Sequence, residues 1–242
     1  MVYILNEREW AMEAIETKTL GKKPFETLMR VARYYMDEGY KRAAVRKLVE
    51  EFLIRCKPDA SPVLWMNTLD RAVSYAAGRA AVNIGSIVIT KPEMAAIDGI
   101  DGIQARRLAF TLLCLAKYYD AINPDANHWV PADDRDIMAL ANIKTSIKRQ
   151  SAMYRQLRDA GLLRFSKKID NTNVCVLFIA DGEPAMVIDD FRNLGNQYLF
   201  SKGAPGYFRC ENCGAVDHVA PKASLETRGR KTKCCRECRT AR

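Results

Sequence analysis

Near the end of the chain stand Cys210-Glu211-Asn212-Cys213-Gly214 and Cys235-Arg236-Glu237-Cys238, two Cys-x-x-Cys pairs separated by about twenty residues. A two-residue gap makes a tight turn that aims both sulfurs at one point, and two such turns complete a tetrahedron around Zn2+ with Zn–S near about 2.3 Å. Gly214 suits the exit of the first turn, where a positive φ is often needed. A segment this small has almost no apolar core, so a bound metal supplies its folding energy directly. The expected ligands of one structural zinc ion are therefore Cys210, Cys213, Cys235 and Cys238. Cys234 is an alternative to Cys235 at the cost of a three-residue gap, and His218 is a more distant substitute. A redox pair is the competing chemistry; two pairs at this spacing favour a closed structural site.

Eight cysteines among 242 residues need a use. The opening Met1-Val2-Tyr3-Ile4-Leu5-Asn6-Glu7 is not a basic leader followed by an apolar stretch. No apolar run approaches the ~20 residues that cross a bilayer. The expected setting is the cytoplasm, where thiols stay reduced and disulfides are rare. The formal charge of +9 is unevenly spread. Residues 144–168 hold eight Lys/Arg against one Asp, and residues 201–242 hold ten against four acids, with an acidic stretch between them. Two basic blocks are what a phosphate backbone attracts.

Residues 1–90 read as helical. Phe25, Leu28, Ala32 and Tyr35 share one face of a helix that opens at Pro24 and stops at Gly39. A second helix runs from Tyr40 to about Cys56, and Ser61-Pro62 opens a third. These stripes read as packing, as do Trp65 and Cys56. Ile87-Val88-Ile89 suits a short strand, and Thr90 with Glu93 has capping-box spacing.

From residue 103 the order of elements is informative. A helix over about Gln104–Asp120 carries Leu108, Leu112, Leu115 and Tyr119 on one face, with Cys114 as buried apolar filler. Trp129-Val130 suits a short strand, and Asp133 or Asp134 caps a second helix. A third helix spans roughly Ser146–Ala160, capped by Thr145 or Ser146 and stopped by Gly161. Ile147, Tyr154 and Leu157 can face its core. Then come Arg164-Phe165-Ser166-Lys167-Lys168-Ile169, a polar turn Asp170-Asn171-Thr172-Asn173, and the β-branched run Val174–Ile179 with Cys175 as core: strand, turn, strand.

This order resembles the winged helix-turn-helix. The likeness rests on Thr145-Ser146-Ile147-Lys148-Arg149-Gln150 and on Leu157-Arg158-Asp159-Ala160-Gly161-Leu162-Leu163. It implies that the third helix enters the major groove while the hairpin lies along the backbone or minor groove. Arg149 then offers a fork to guanine, and Gln150 or Gln156 pairs with adenine. Lys144, Lys148, Lys167 and Lys168 suit phosphates, and Ser146 and Met153 of the third helix are further expected nucleic-acid contacts. The four-cysteine segment resembles the zinc ribbons of nucleic-acid-handling proteins, and Arg230, Lys231 and Lys233 would extend the basic surface there. The whole chain resembles uncharacterised proteins of phages and mobile elements in low-GC Gram-positive bacteria, through these segments and Asp190-Phe191-Arg192-Asn193-Leu194-Gly195-Asn196-Gln197-Tyr198.

The expected fold is mainly α with small β elements, an α+β chain. It divides into a helical N-terminal domain over 1–90, a winged helix-turn-helix over 91–180, a connector over 181–205 and a zinc ribbon over 206–242. There is no phosphate-binding loop or dinucleotide fingerprint. Only two histidines occur, His128 and His218, and no nucleophile–base constellation stands out. The expectation is a non-enzymatic binding protein: a phage or mobile-element regulator that binds duplex DNA, with zinc as cofactor. The alternative is an interaction protein that inhibits a host nucleoprotein complex such as a CRISPR effector.

Overall fold

The computed structural model describes residues 3–78, 80–167, 173–219 and 234–240. The fold is mainly helical with small antiparallel sheets. It divides into two compact units, one within residues 2–85 and one within 86–242.

The first unit contains α1 (Glu7–Glu16), α2 (Pro24–Asp37), α3 (Arg42–Cys56) and α4 (Pro62–Ala76). Asn6 caps α1 by accepting the amide of Glu9 at 3.1 Å, which satisfies one of the free donors of the first turn. Pro24 and Pro62 occupy first helical turns. The core is built from stripes at helical spacing: Leu28, Val31 and Ala32 on α2, Val45, Val49, Phe52 and Leu53 on α3, and Leu69, Ala72, Val73 and Ala76 on α4. Each large side chain removed from water contributes about 1.5–3 kcal/mol. Trp65 and Cys56 pack against this core half-buried.

One carboxylate organises the edge of this unit. Glu7 is buried and pairs with the buried Arg30 and Arg33, and its Oε2 also accepts the amide of Val82 at 3.1 Å. The backbone joins in: Glu7 donates to Val82 at 2.8 Å, Ile84 donates to Leu5 at 2.8 Å, and Asn6 bridges to Asn83. Residues 5–7 therefore run beside residues 82–84.

The second unit is centred on α6 (Ile103–Ile122). Ala105, Leu108–Ala116 and Tyr118 are buried, so the helix is surrounded rather than amphipathic. Cys114 is fully buried there, and burial pushes its thiol far above the ordinary range. Ahead of α6, β1 (Ile87–Thr90) leads into α5 (Lys91–Asp98), and β1 pairs antiparallel with β5 (Pro184–Ile188) in the register Ile87↔Ile188. Glu93, on α5, is 0% exposed. It accepts from the amides of Thr90 at 2.8 Å and Ala180 at 3.1 Å, and pairs with Lys117 of α6 at 2.8 Å. This is the capping box anticipated from Thr90 and Glu93, extended into a buried ion pair.

After α6 come β2 (Trp129–Val130), α7 (Asp134–Leu140), α8 (Ile147–Asp159), β3 (Leu163–Phe165) and β4 (Val174–Val176). The three strands form one antiparallel sheet in the order β2-β4-β3, with Trp129 opposite Cys175 and Leu163 opposite Val176. Asp133 caps α7 by accepting the amide of Arg135 at 2.7 Å. Ile147 departs from expectation: it is 80% exposed. It shares a stripe with Tyr154 and Leu157, but as the first residue of α8 it lies beyond the core that buries them.

The segment read as a connector is built into the unit. It supplies β5 and α9 (Leu194–Ser201), which lies on α6 with the rings of Phe110 and Tyr198 5.5 Å apart. Leu194 and Tyr198 are buried. A short hairpin of β6 (Tyr207–Arg209) and β7 (Val216–His218) follows, and α10 (Arg236–Thr240) comes last. Among the described residues no helix is long and apolar enough to cross a membrane.

Candidate metal centre and basic helix face

Cys210 follows β6 directly, and the turn it opens is closed by Gly214, whose amide donates to Cys210 O at 2.9 Å at a φ of 72°. Cys210 in turn donates to Ala215 O at 2.9 Å. Cys235 precedes α10 and Cys238 lies in its first turn, so a helix start and a hairpin turn face each other. The four sulfurs lie within 4.8 Å of one another, and the Sγ atoms of Cys213 and Cys235 are 3.6 Å apart. A tetrahedron with Zn–S of about 2.3 Å has edges of about 3.8 Å, so the donor set fits one metal ion and could form a zinc site. Cys234 is not one of the four, nor is His218, whose ring rests 4.5 Å from that of Tyr207 across the hairpin.

Backbone donors prepare the site for negative charge. The amide of Cys235 donates to Cys210 Sγ at 3.2 Å, and amides of Cys213 and Asn212 also point at that sulfur. Together they bring its thiol down to about 6. Cys238 goes the other way: hydrogen bonding with Cys213 and Cys235 pushes it up to about 12. Crowded thiols cannot all ionise alone, and a bound cation reverses that penalty.

The knuckle is held from outside by α9's approach. Arg192 donates to Cys213 O at 2.7 Å, and Asn193 Nδ2 donates to Val216 O at 3.1 Å. Sequence reasoning found no chemistry in this segment; the signal was a run of polar residues, Arg192, Asn193, Asn196 and Gln197, inside an apolar setting.

On α8 and its approach, Lys144, Ser146, Lys148, Arg149 and Gln156 are exposed, as is Lys167 beyond β3. Arg155 and Arg158, which the sequence reading did not single out, are exposed on the same helix. Met153 is 8% exposed and belongs to the packed side with Tyr154 and Leu157. The amide groups of two glutamines are already engaged: Gln150 donates to Thr145 O at 3.2 Å and Gln156 to Asp101 O at 2.8 Å. Tyr154 anchors α8 by donating to Asp134 Oδ1 at 2.9 Å. A pocket of about 330 Å³ between α8 and the start of α6 is lined by Asp101, Gly102, Gln104, Arg149, Met153 and Gln156. Lys168, Arg230, Lys231, Lys233 and the turn over residues 170–172 lie outside the described residues. Comparison of the chain with protein families, with curated proteins and with solved structures gives no match.

Proposed function

We propose that the chain is a non-enzymatic nucleic-acid-binding protein, a regulator of the kind carried by phages and mobile elements. In this reading α6, α7, α8 and the β3–β4 hairpin form a winged helix-turn-helix, and the four cysteines hold one structural zinc ion. The observation that carries it is α8: its packed side is anchored by Met153, Tyr154 and Leu157, while Lys148, Arg149 and Arg155 of the helix and Lys144 of its approach are exposed. A rigid helix with a cationic outer face suits the major groove of duplex DNA. Arg149 can reach base edges bidentately, and the lysines neutralise phosphates without reading sequence.

Fluorescence anisotropy with duplex DNA, titrated across salt concentrations, tests this. Affinity should fall steeply with salt, with a slope of roughly −0.9 per phosphate neutralised. Reversing Lys148 and Arg149 to Glu should weaken binding at least tenfold and flatten that slope. Unchanged binding by the double variant would remove α8 from the interface. Selection from random DNA then separates the regulator from a protein that inhibits a host nucleoprotein complex: an enriched motif supports the former.

A further inference from the structure

We infer that Asn193 and Arg192 are positioning residues that couple the metal knuckle to the turn leading into α8, so that metal loading orders that turn. The inference rests on the reading of the four cysteines as a metal site and names what that site controls.

The geometry is a continuous chain of hydrogen bonds. From the knuckle, Cys213 O accepts from Arg192 and Val216 O accepts from Asn193 Nδ2. Cys213 O lies in the cysteine turn and Val216 O on the strand that follows it, so the two bonds tie Arg192 and Asn193 to the turn and its exit. The same Asn193 side chain faces the other way as an acceptor: its Oδ1 takes a bond from Asn142 Nδ2 at 3.0 Å. Asn142 sits at the turn between α7 and α8, where its amide donates to Ala139 O and the next amide, Ile143, donates to Met138 O. Among the described residues Asn142 Oδ1 is buried with no hydrogen-bond partner, so the Nδ2 bond to Asn193 is what holds the side chain in place.

Both asparagines are left-handed, with φ of 53° at Asn142 and 54° at Asn193. Such residues persist where their surroundings over-determine them, and here each is held partly by the other. Arg107 of α6 braces the same turn, donating to Ala141 O at 2.9 Å and Asn142 O at 2.7 Å. A single amide side chain thus lies in two environments, one made by the metal knuckle and one by the base of the basic helix. Partners hydrogen-bonded to ligand residues, as Arg192 is to Cys213, typically change metal affinity 10–100-fold when removed; Asn193 acts one step further out, on Val216. By linkage, anything that metal binding does to the turn, the turn does to metal binding.

The test uses the full chain and two measurements. Zinc affinity is read by competition with a chromogenic chelator, and order at the turn by hydrogen exchange at the Asn142 and Ile143 amides with and without zinc. Glycine accepts a positive φ, so Asn193→Gly and Asn142→Gly remove each side chain without backbone strain; circular dichroism checks that both fold. In the wild type, zinc removal should speed exchange at the two amides at least tenfold. Arg192→Gln should weaken zinc 10–100-fold, and Asn193→Gly several-fold. Asn142→Gly, which touches no part of the knuckle, should weaken zinc several-fold and abolish the zinc dependence of exchange at Ile143. A side chain that merely supports the fold would speed exchange equally with and without zinc. Wild-type protein that takes up no zinc overturns the metal reading itself. Protein that takes up zinc normally, with zinc affinity unchanged in Asn193→Gly or exchange at the turn indifferent to zinc, overturns the coupling alone.

Discussion

Substituting Gly195 by alanine sets helix propensity directly against packing. An ideal Cβ there would lie 1.9 Å from Ala141 O, 2.5 Å from Ala141 C and 2.8 Å from Arg107 Nε. Neither backbone carbonyl atom can swing away as a side-chain tip would, so α9 or the α7–α8 turn must retreat by more than about 1 Å to restore ordinary contact. Retreat of the turn breaks the charge-assisted bond from Arg107 to Ala141 O, worth about 1.5–3 kcal/mol; retreat of α9 instead loosens the buried Leu194 and Tyr198, at about 1–3 kcal/mol. Against this, replacing glycine inside a helix contributes at most about 1 kcal/mol of stability. The net expectation is a loss of about 1–2 kcal/mol, or roughly 2–8 °C in Tm for a unit of this size. Thermal and urea unfolding of the metal-loaded protein measure it. Gly99→Ala is the control: its Cβ would meet only Ala95 O and Ala96 O at 3.6 Å, and stability should change by less than about 1 kcal/mol. A Gly195→Ala variant as stable as the parent would refute the argument that α9 is wedged onto this turn.

Two other substitutions probe the site and the core. Cys235→Ser should abolish stoichiometric zinc in elemental analysis while Cys234→Ser retains it, because only Cys235 lies among the four converging sulfurs; the opposite pattern would move the ligand by one residue. Lys117→Met should lower stability by about 3 kcal/mol in denaturant titration, since it leaves the fully buried Glu93 carboxylate without its counter-ion; a neutral result would mean that the Thr90 and Ala180 amides suffice.

What was legible in the sequence was local. The Cys-x-x-Cys spacing encodes its own turn, and the four sulfurs converge as that spacing requires. Periodicity placed the helices: Phe25–Met36 against Pro24–Asp37, Tyr40–Cys56 against Arg42–Cys56, Gln104–Asp120 against Ile103–Ile122. Punctuation by Asp133, Gly161 and the Thr90–Glu93 box was readable because caps act within one turn. What stayed hidden depends on partners far along the chain. β5 pairs with a strand about 100 residues earlier, and nothing in Pro184–Ile188 alone announces it. Glu7 looks like any surface carboxylate until Arg30, Arg33 and Val82 close around it. Arg192 and Asn193 gain meaning only beside carbonyls of another segment. Ile147 failed for a different reason: its stripe was right, but the core ends before the helix does.

Because residues 5–7 and 82–84 run side by side under the Glu7 carboxylate, the four-helix unit is entered and left at nearly the same spot. A module of that shape behaves as a cassette. It can be spliced into a surface loop of another protein without prying its host apart, or circularly permuted by joining those adjacent segments and cutting the Lys57–Ser61 bend instead.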